Sequence, residues 1–233
     1  MPTILITGAS SGIGAALALR LAGPDHHLVL VARRKERLAE VVQQVHARGG
    51  KAHGICADLA DVGAPVRVID QAIAVAGGLT AIVNNAGIFE TAGIGALNAE
   101  HLDRLFSINV QAPMLLTQAA LPHLRGRPGA MVVNISSIAA ESAFSGCGAY
   151  AATKAAIEAW SRSLREELRG AHVRVGVVVP GATDTEVWPA DSTHDRGRMC
   201  RAEDVAEAIA FMLAAPLTAS IDRLVVMPPG GPL

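Results

Sequence analysis

TGASSGIG, residues 7 to 14, decides how the rest of the chain is read. Before it lies TILIT (3–7), an apolar, partly β-branched run that reads as a short buried strand. After it lies AALALRLAG (15–23), a helix stopped by Gly23 and Pro24. The turn between them carries glycines at 8, 12 and 14, a GxxxGxG spacing. Backbone must come close to a pyrophosphate to bind it, which excludes side chains. The start of a helix adds free N–H groups and the positive end of its dipole. A glycine turn that merely packs strand against helix is the plainer alternative. Its place after the first strand of an alternating chain favours a nucleotide.

The alternation continues outward. HLVLVA (27–32), KAHGICADL (51–59), LTAIVNNAG (79–87), AMVVNISS (130–137), VRVGVVVPG (173–181) and DRLVVMP (222–228) read as further strands. Helices are expected over 33–49, 62–76, 98–124, 148–169 and 201–216, with Pro113 kinking or breaking the third of that set near Asn109. The strands are continuous Val/Ile/Leu runs, as in strands covered on both faces. The expected fold is α/β: one doubly wound domain around a parallel sheet of about seven strands. The cofactor half spans roughly residues 1–125 and the catalytic half 126–233. Residues 182–200 show no periodicity, and a loop of that size in a compact domain is usually functional.

Composition narrows the function. A net charge of −1 leaves no nucleic-acid footprint. Apolar runs are broken too soon to span a bilayer. Cys56, Cys147 and Cys200 have no metal-type spacing, and an odd, sparse set suits a reducing compartment. His101, His123, His172 and His194 are dispersed, so no metal site is expected. The opening residues have no basic n-region, and the expected location is the cytoplasm.

TGASSGIG, NNAG (84–87), the set Ser137/Tyr150/Lys154 and PG (180–181) together resemble the short-chain dehydrogenase/reductase family, over essentially the whole chain. The resemblance implies a Rossmann fold that binds NAD(P) and acts on a small-molecule carbonyl or alcohol, as a homodimer or homotetramer. Gly8, Ser10, Ser11, Gly12, Ile13 and Gly14 would then cradle the pyrophosphate. An NAD site puts an acid about 20 residues past the glycines, for the ribose 2′-OH. Here Ala32 stands at that place, followed by Arg33, Arg34 and Lys35, which favours a 2′-phosphate. NADP(H) is therefore the expected cofactor, with NAD(H) also possible. By resemblance Arg33 ranks first as phosphate partner and Arg34 second. The alternative is ordinary solvated charge at a helix start, where basic residues suit the dipole poorly. Asp58, followed by Leu59, resembles the aspartate that meets the adenine amino group; a helix N-cap explains it equally well. Asn84 resembles a residue tying neighbouring strands, while Asn85, Ala86 and Gly87 would line the cofactor.

Tyr150 is the only tyrosine, and Lys154 follows it by one helical turn on the same face. A free phenol titrates near pH 10 and is a poor base at neutrality. A nearby ammonium is expected to lower that value and fit Tyr150 for acid–base work. The resemblance gives Lys154 the nicotinamide ribose as well, and gives Ser137 the substrate oxygen. Ser136 competes with Ser137. Strand alternation sends only one of them to the pocket, and the family spacing selects Ser137. Asn109 resembles the kink asparagine that supports a water linking the lysine to solvent; a buried, satisfied amide is the other reading. Pro180, Gly181, Thr183 and Thr185 would hold the nicotinamide carboxamide. Ile138, Phe144 and Trp188 are the substrate candidates, with Cys147 and Met199, and Phe89 behind them. Trp188 is open between a closing lid and a packing anchor.

Two other classes fit the residues less well. A non-catalytic cofactor sensor on the same fold has no need of Ser137, Tyr150 and Lys154 together. An epimerase or dehydratase of the extended relatives would need a larger C-terminal substrate domain than the stretch after Arg201 supplies.

Overall fold

The computed structural model describes residues 1–188 and 195–232. Six positions of the expected substrate loop, 189–194, lie outside the described residues, His194 among them. The strands in chain order are β1 (Thr3–Thr7), β2 (His27–Ala32), β3 (Lys51–Cys56), β4 (Ala81–Asn84), β5 (Met131–Ile135), β6 (Arg174–Pro180), β7 (Thr183–Asp184), β8 (Cys200–Arg201) and β9 (Arg223–Val226). The helices are α1 (Gly12–Arg20), α2 (Lys35–Ala47), α3 (Ala64–Ala76), α4 (Ala99–Phe106), α5 (Ala112–Leu124), α6 (Gly148–Leu168) and α7 (Ala202–Leu213). Among the described residues the main sheet has seven parallel strands in the order β3-β2-β1-β4-β5-β6-β9, as expected.

One apolar layer joins the sheet to α1, α2 and α7 through Leu17, Leu38, Val45, Val205 and Ile209. The opposite layer joins it to α3, α5 and α6 through Val68, Leu116, Leu124 and Leu164. Two-sided cover holds for β1, β2, β4 and β5, every residue of which is buried. It fails at the edges: β3 buries only Ala52 and Ile55 and exposes its other four residues, and Val225 of β9 faces solvent. An edge strand lacks a neighbour to extend its cover. Strand order reverses between β1 and β4, and such a switch point opens a crevice at the C-terminal strand ends.

Two local features shape that crevice. The expected break near Asn109 is a π-helical turn, Ser107–Gln111, between α4 and α5. Pro113 sits in the first turn of α5, where its missing N–H is tolerated. A buried amide–hydroxyl chain then stitches the sheet to its helices. Asn84 Nδ2 donates to Asn134 Oδ1 at 2.8 Å and to Thr117 Oγ1 at 3.2 Å, and Asn134 Nδ2 donates to Ser161 Oγ at 2.8 Å. This fixes β4, β5, α5 and α6 against one another. Asn134→Ala removes the central link and leaves a buried Asn84 Nδ2 donor and the Ser161 Oγ acceptor each short of a partner, an expected loss of roughly 1–3 kcal/mol. Urea unfolding reads it as a lower midpoint with unchanged slope; an unshifted midpoint contradicts the network's role.

Candidate active site

An open cleft of about 1040 Å³ runs along the C-terminal ends of the strands, from Ala57–Leu59 past β3 to Pro180–Trp188 past β6. The glycine turn forms its floor. Gly8 has φ +68, and a Cβ there would stand 2.8 Å from Asn85 Nδ2 and 2.9 Å from Ala86 Cα. A Cβ on Gly14 would meet the Gly8 carbonyl oxygen at 2.5 Å. Gly14 is therefore a packing glycine that lets α1 lie against the turn, whereas Gly8 and Gly12 border the cleft. Thr7 ties this floor to β4: its Oγ1 accepts from the N–H groups of Asn85 (3.0 Å) and Ala86 (2.9 Å). Asn85 returns a bond from Nδ2 to the Thr7 carbonyl at 2.8 Å. Helix α1 starts at Gly12, three residues earlier than the apolar run alone indicates, so its N-terminal amides open onto the cleft.

At the β2 end the two arginines part company. Arg33 is exposed and lies 3.9 Å from Asp58. Arg34 turns back over the glycine turn: Nε and Nη2 donate to Ser10 Oγ at 3.3 and 3.2 Å, and Nη2 to Ser11 Oγ at 2.5 Å. Its Nη1 donates to Glu186 Oε2 at 2.7 Å. Asp58 is not a helix cap, because α3 begins only at Ala64. Its Oδ1 accepts from Ala60 N at 3.0 Å in a local turn. Leu59 lines the cleft with a largely buried side chain.

Helix α6 and the end of β5 build the other wall. Lys154 is buried and donates from Nζ to the Ile135 carbonyl at 2.9 Å, with Nζ 5.7 Å from the centre of the Tyr150 ring. Burial brings its pKa down to about 8. Ser137 faces the cleft, its Oγ accepting from Ala139 N at 3.2 Å, and its side chain bears on the Tyr150 phenol. Ser136 points the other way and donates to Glu158 Oε1 at 2.8 Å inside the protein, as strand alternation requires. Glu158 also faces Arg223, with Oε2 3.4 Å from its Nε.

The Tyr150 phenol departs from expectation. Desolvation pushes it up to about 12, against a smaller downward pull from the Ser137 hydrogen bond. The Lys154 charge is not among the causes of that shift. Helical spacing shows that two groups share a face. It does not show how much low-dielectric protein surrounds them, and here burial outweighs the neighbour.

Asn109 is a buried amide clamp. Its Oδ1 accepts from Ile88 N at 2.9 Å, and its Nδ2 donates to the Ile88 carbonyl at 3.0 Å and to Thr153 Oγ1 at 3.2 Å. It does not line the cleft, but it abuts Gly87, where a Cβ would lie 3.2 Å from Asn109 Oδ1 and 3.6 Å from Lys154 Nζ.

The segment after β6 closes over the top. Thr183 is buried and bonds the Gly181 carbonyl at 3.0 Å, and Thr185 lies against Gly12, where a Cβ would come within 3.1 Å of its Cγ2. Strands β7 and β8 pin the two ends of the loop together. Trp188 donates from Nε1 to the Thr183 carbonyl at 2.8 Å and packs on Phe89, ring centres 5.2 Å apart. Phe89 stands edge-on to Tyr150 at 4.9 Å and 87°. Three of the few aromatic rings thus meet at one point, and Phe89 is at its centre. Trp188 is an anchor for the loop in this arrangement. Ile138, Phe144 and Cys147 line the same end. Met199 does not: it is buried where the chain enters β8. Arg196 braces the loop by pairing with Asp184 at 2.7 Å. Sequence reading missed Glu186 and Arg37, which meet across the cleft rim; only complementary charge far apart in the chain hinted at them. Among the described residues no group of His, Cys, Asp and Glu gathers as a metal site.

A family model described as short chain dehydrogenase matches residues 2–196. The short-chain dehydrogenase/reductase FrzI of Cladobotryum sp is 36% identical over 193 residues, 82% of this chain and 74% of that protein. Sulfoacetaldehyde reductase 2 of Chromohalobacter salexigens is 32% identical over 240 residues, 97% of this chain and 93% of that one. A short chain dehydrogenase from Burkholderia cenocepacia, solved in complex with NADP, superposes with a TM-score of 0.89 at 34% identity, covering 97% of this chain and 96% of its own. The chain belongs to the short-chain dehydrogenase/reductase family.

Proposed function

We propose that the protein is an NADP(H)-dependent oxidoreductase acting on a carbonyl or secondary alcohol, with Tyr150 as the general acid and base. The observation that carries this reading is the convergence of Tyr150, Ser137 and buried Lys154 at one end of a cleft whose other end is the glycine turn. The cradle fits a dinucleotide: Gly8 and Gly12 leave the room a Cβ would fill, and α1 aims its amides at it. Ser10, Ser11, Ile13 and Gly12 would hold the pyrophosphate, with Arg34 and Arg33 at a 2′-phosphate and Asp58 and Leu59 beside the adenine. Asn85, Ala86 and Gly87 would line the middle, and Pro180, Gly181, Thr183 and Thr185 the carboxamide end.

When bound, the nicotinamide supplies or accepts the hydride at the substrate carbon. The chain supplies the rest. Tyr150, with a pKa of about 12, holds its proton through the neutral range and can deliver it to a carbonyl oxygen being reduced. Ser137 shares that oxygen and orients it. Lys154 in its charged form would grip the ribose hydroxyls and favour the phenolate once the proton has left. Asn109 positions the Ile88 backbone and, through Gly87, the space beside Lys154. Phe89, Trp188, Ile138 and Phe144 give the substrate a largely apolar seat beside Tyr150. Three free cysteines support a reducing compartment such as the cytoplasm, and a homodimer or homotetramer remains the expected assembly.

Three measurements test this reading. Tyr150→Phe is expected to lower kcat by roughly 100- to 10,000-fold while NADPH still binds; undiminished turnover refutes the acid–base role. Comparing kcat/KM for NADPH and NADH over a panel of aldehydes and ketones should favour NADPH, and equal or better use of NADH contradicts the phosphate assignment. The pH profile carries the third. kcat/KM for NADPH reports groups of the free enzyme. Lys154 is charged below its pKa of about 8 and neutral above it. The profile should therefore fall as pH rises through about 8, and Lys154→Met should erase that limb; a limb that persists in the variant assigns it to another group.

A further inference from the structure

Glu186 is unexplained by the chemistry above. It lies on the segment after β7, between Thr185 against Gly12 and Trp188 against Phe89. Its carboxylate spans two guanidinium groups of the opposite wall: Oε2 accepts from Arg34 Nη1 at 2.7 Å, and Oε1 pairs with Arg37 one helical turn further along α2. Arg34 then has its Nε and both terminal nitrogens engaged, by Ser10, Ser11 and Glu186. The two arginines hold the Glu186 carboxyl below the usual carboxylate range, so it is an anion at neutral pH.

We propose that Glu186 is a specificity-determining residue, an internal carboxylate that competes with the cofactor's 2′-phosphate for Arg34. The inference rests on the reading of Arg34 as a phosphate partner. A phosphate monoester carries close to two negative charges at neutral pH and needs guanidinium nitrogens, of which Glu186 already holds Nη1 of Arg34 and Ser10 and Ser11 hold the others. Both anions on one guanidinium repel, so a 2′-phosphate binds only by displacing Glu186 from Arg34. A cofactor without that phosphate leaves the pair intact. Glu186 thereby narrows the preference for NADP(H) over NAD(H). Because the same short segment carries Trp188, displacement also acts on the residue that anchors the loop beside Tyr150.

Calorimetric titration with adenosine 2′,5′-bisphosphate and with 5′-AMP tests this without turnover. Both probes are to be run on the wild type, Glu186→Gln and Arg34→Met. Glu186 is half exposed, so the amide is tolerated by the fold, and the solvent-screened pair sets the scale of the effect. The expected result is bisphosphate binding about five-fold tighter in Glu186→Gln, with 5′-AMP unchanged. If bisphosphate binds Glu186→Gln no tighter than wild type while Arg34→Met erases the wild-type preference for it, Glu186 merely buttresses Arg34: competition is overturned and the phosphate reading stands. If neither wild type nor Glu186→Gln tells bisphosphate from 5′-AMP, both the competition and the phosphate reading fall.

Discussion

The close approach of the first turn to the end of β4 governs the rest of the cleft. Gly8, Gly14 and Asn85 sit so near one another that a single methyl at either glycine would overlap backbone or amide atoms. Asn85 donates two hydrogen bonds to Thr7 across the gap, from its backbone N–H and from Nδ2. This contact sets where α1 begins, and therefore where its free amides point. It also joins β1 to β4 at the reversal of strand order, the place where a parallel sheet opens to a ligand. Thr185 reaches the same turn from the far side, through Gly12. One compact element thus indexes the floor, the middle and the roof of the cleft to one another.

The second wall depends on how α6 meets β5. The inward face of α6 is Thr153, Lys154, Ile157, Glu158 and Ser161, while its alanines lie outside it, and Lys154 is buried with its amine on the Ile135 carbonyl. Buried polar groups are tolerated here because nearly all are satisfied: Ser136 on Glu158, Asn134 on Ser161, Asn109 on Ile88. The rigidity that results is what holds Ser137 and Tyr150 beside one another in a desolvated corner. The same desolvation raises the phenol and lowers the ammonium, so at neutral pH Tyr150 keeps its proton while Lys154 is charged but close to its titration.

Much of this was legible in the chain. Local chemistry announces itself: glycines at a turn, uninterrupted Val/Ile/Leu strands, and Pro113 within a long helical run, which places the π-helical turn at Ser107–Gln111. The choice of Ser137 over Ser136 also followed from strand period together with the family spacing. What the sequence did not reveal depends on distance and surroundings. Glu186 and Arg34 are 152 positions apart, and nothing local pairs them. Phe89 looked marginal until Tyr150 and Trp188 converged on it. The direction of the Tyr150 shift hinged on burial, which helical spacing does not encode. Met199 followed a polar loop and looked like lining, yet the turn before β8 folds it inward.

The central claim is that hydride passes between a nicotinamide in this cleft and a substrate carbon beside Tyr150. Reduction of an accepted aldehyde or ketone with NADPH deuterated at C4 on either face, followed by mass spectrometry of the alcohol, tests it directly. The account requires deuterium on the carbinol carbon with one of the two labelled faces. An alcohol whose carbinol hydrogen comes from solvent with both would contradict it.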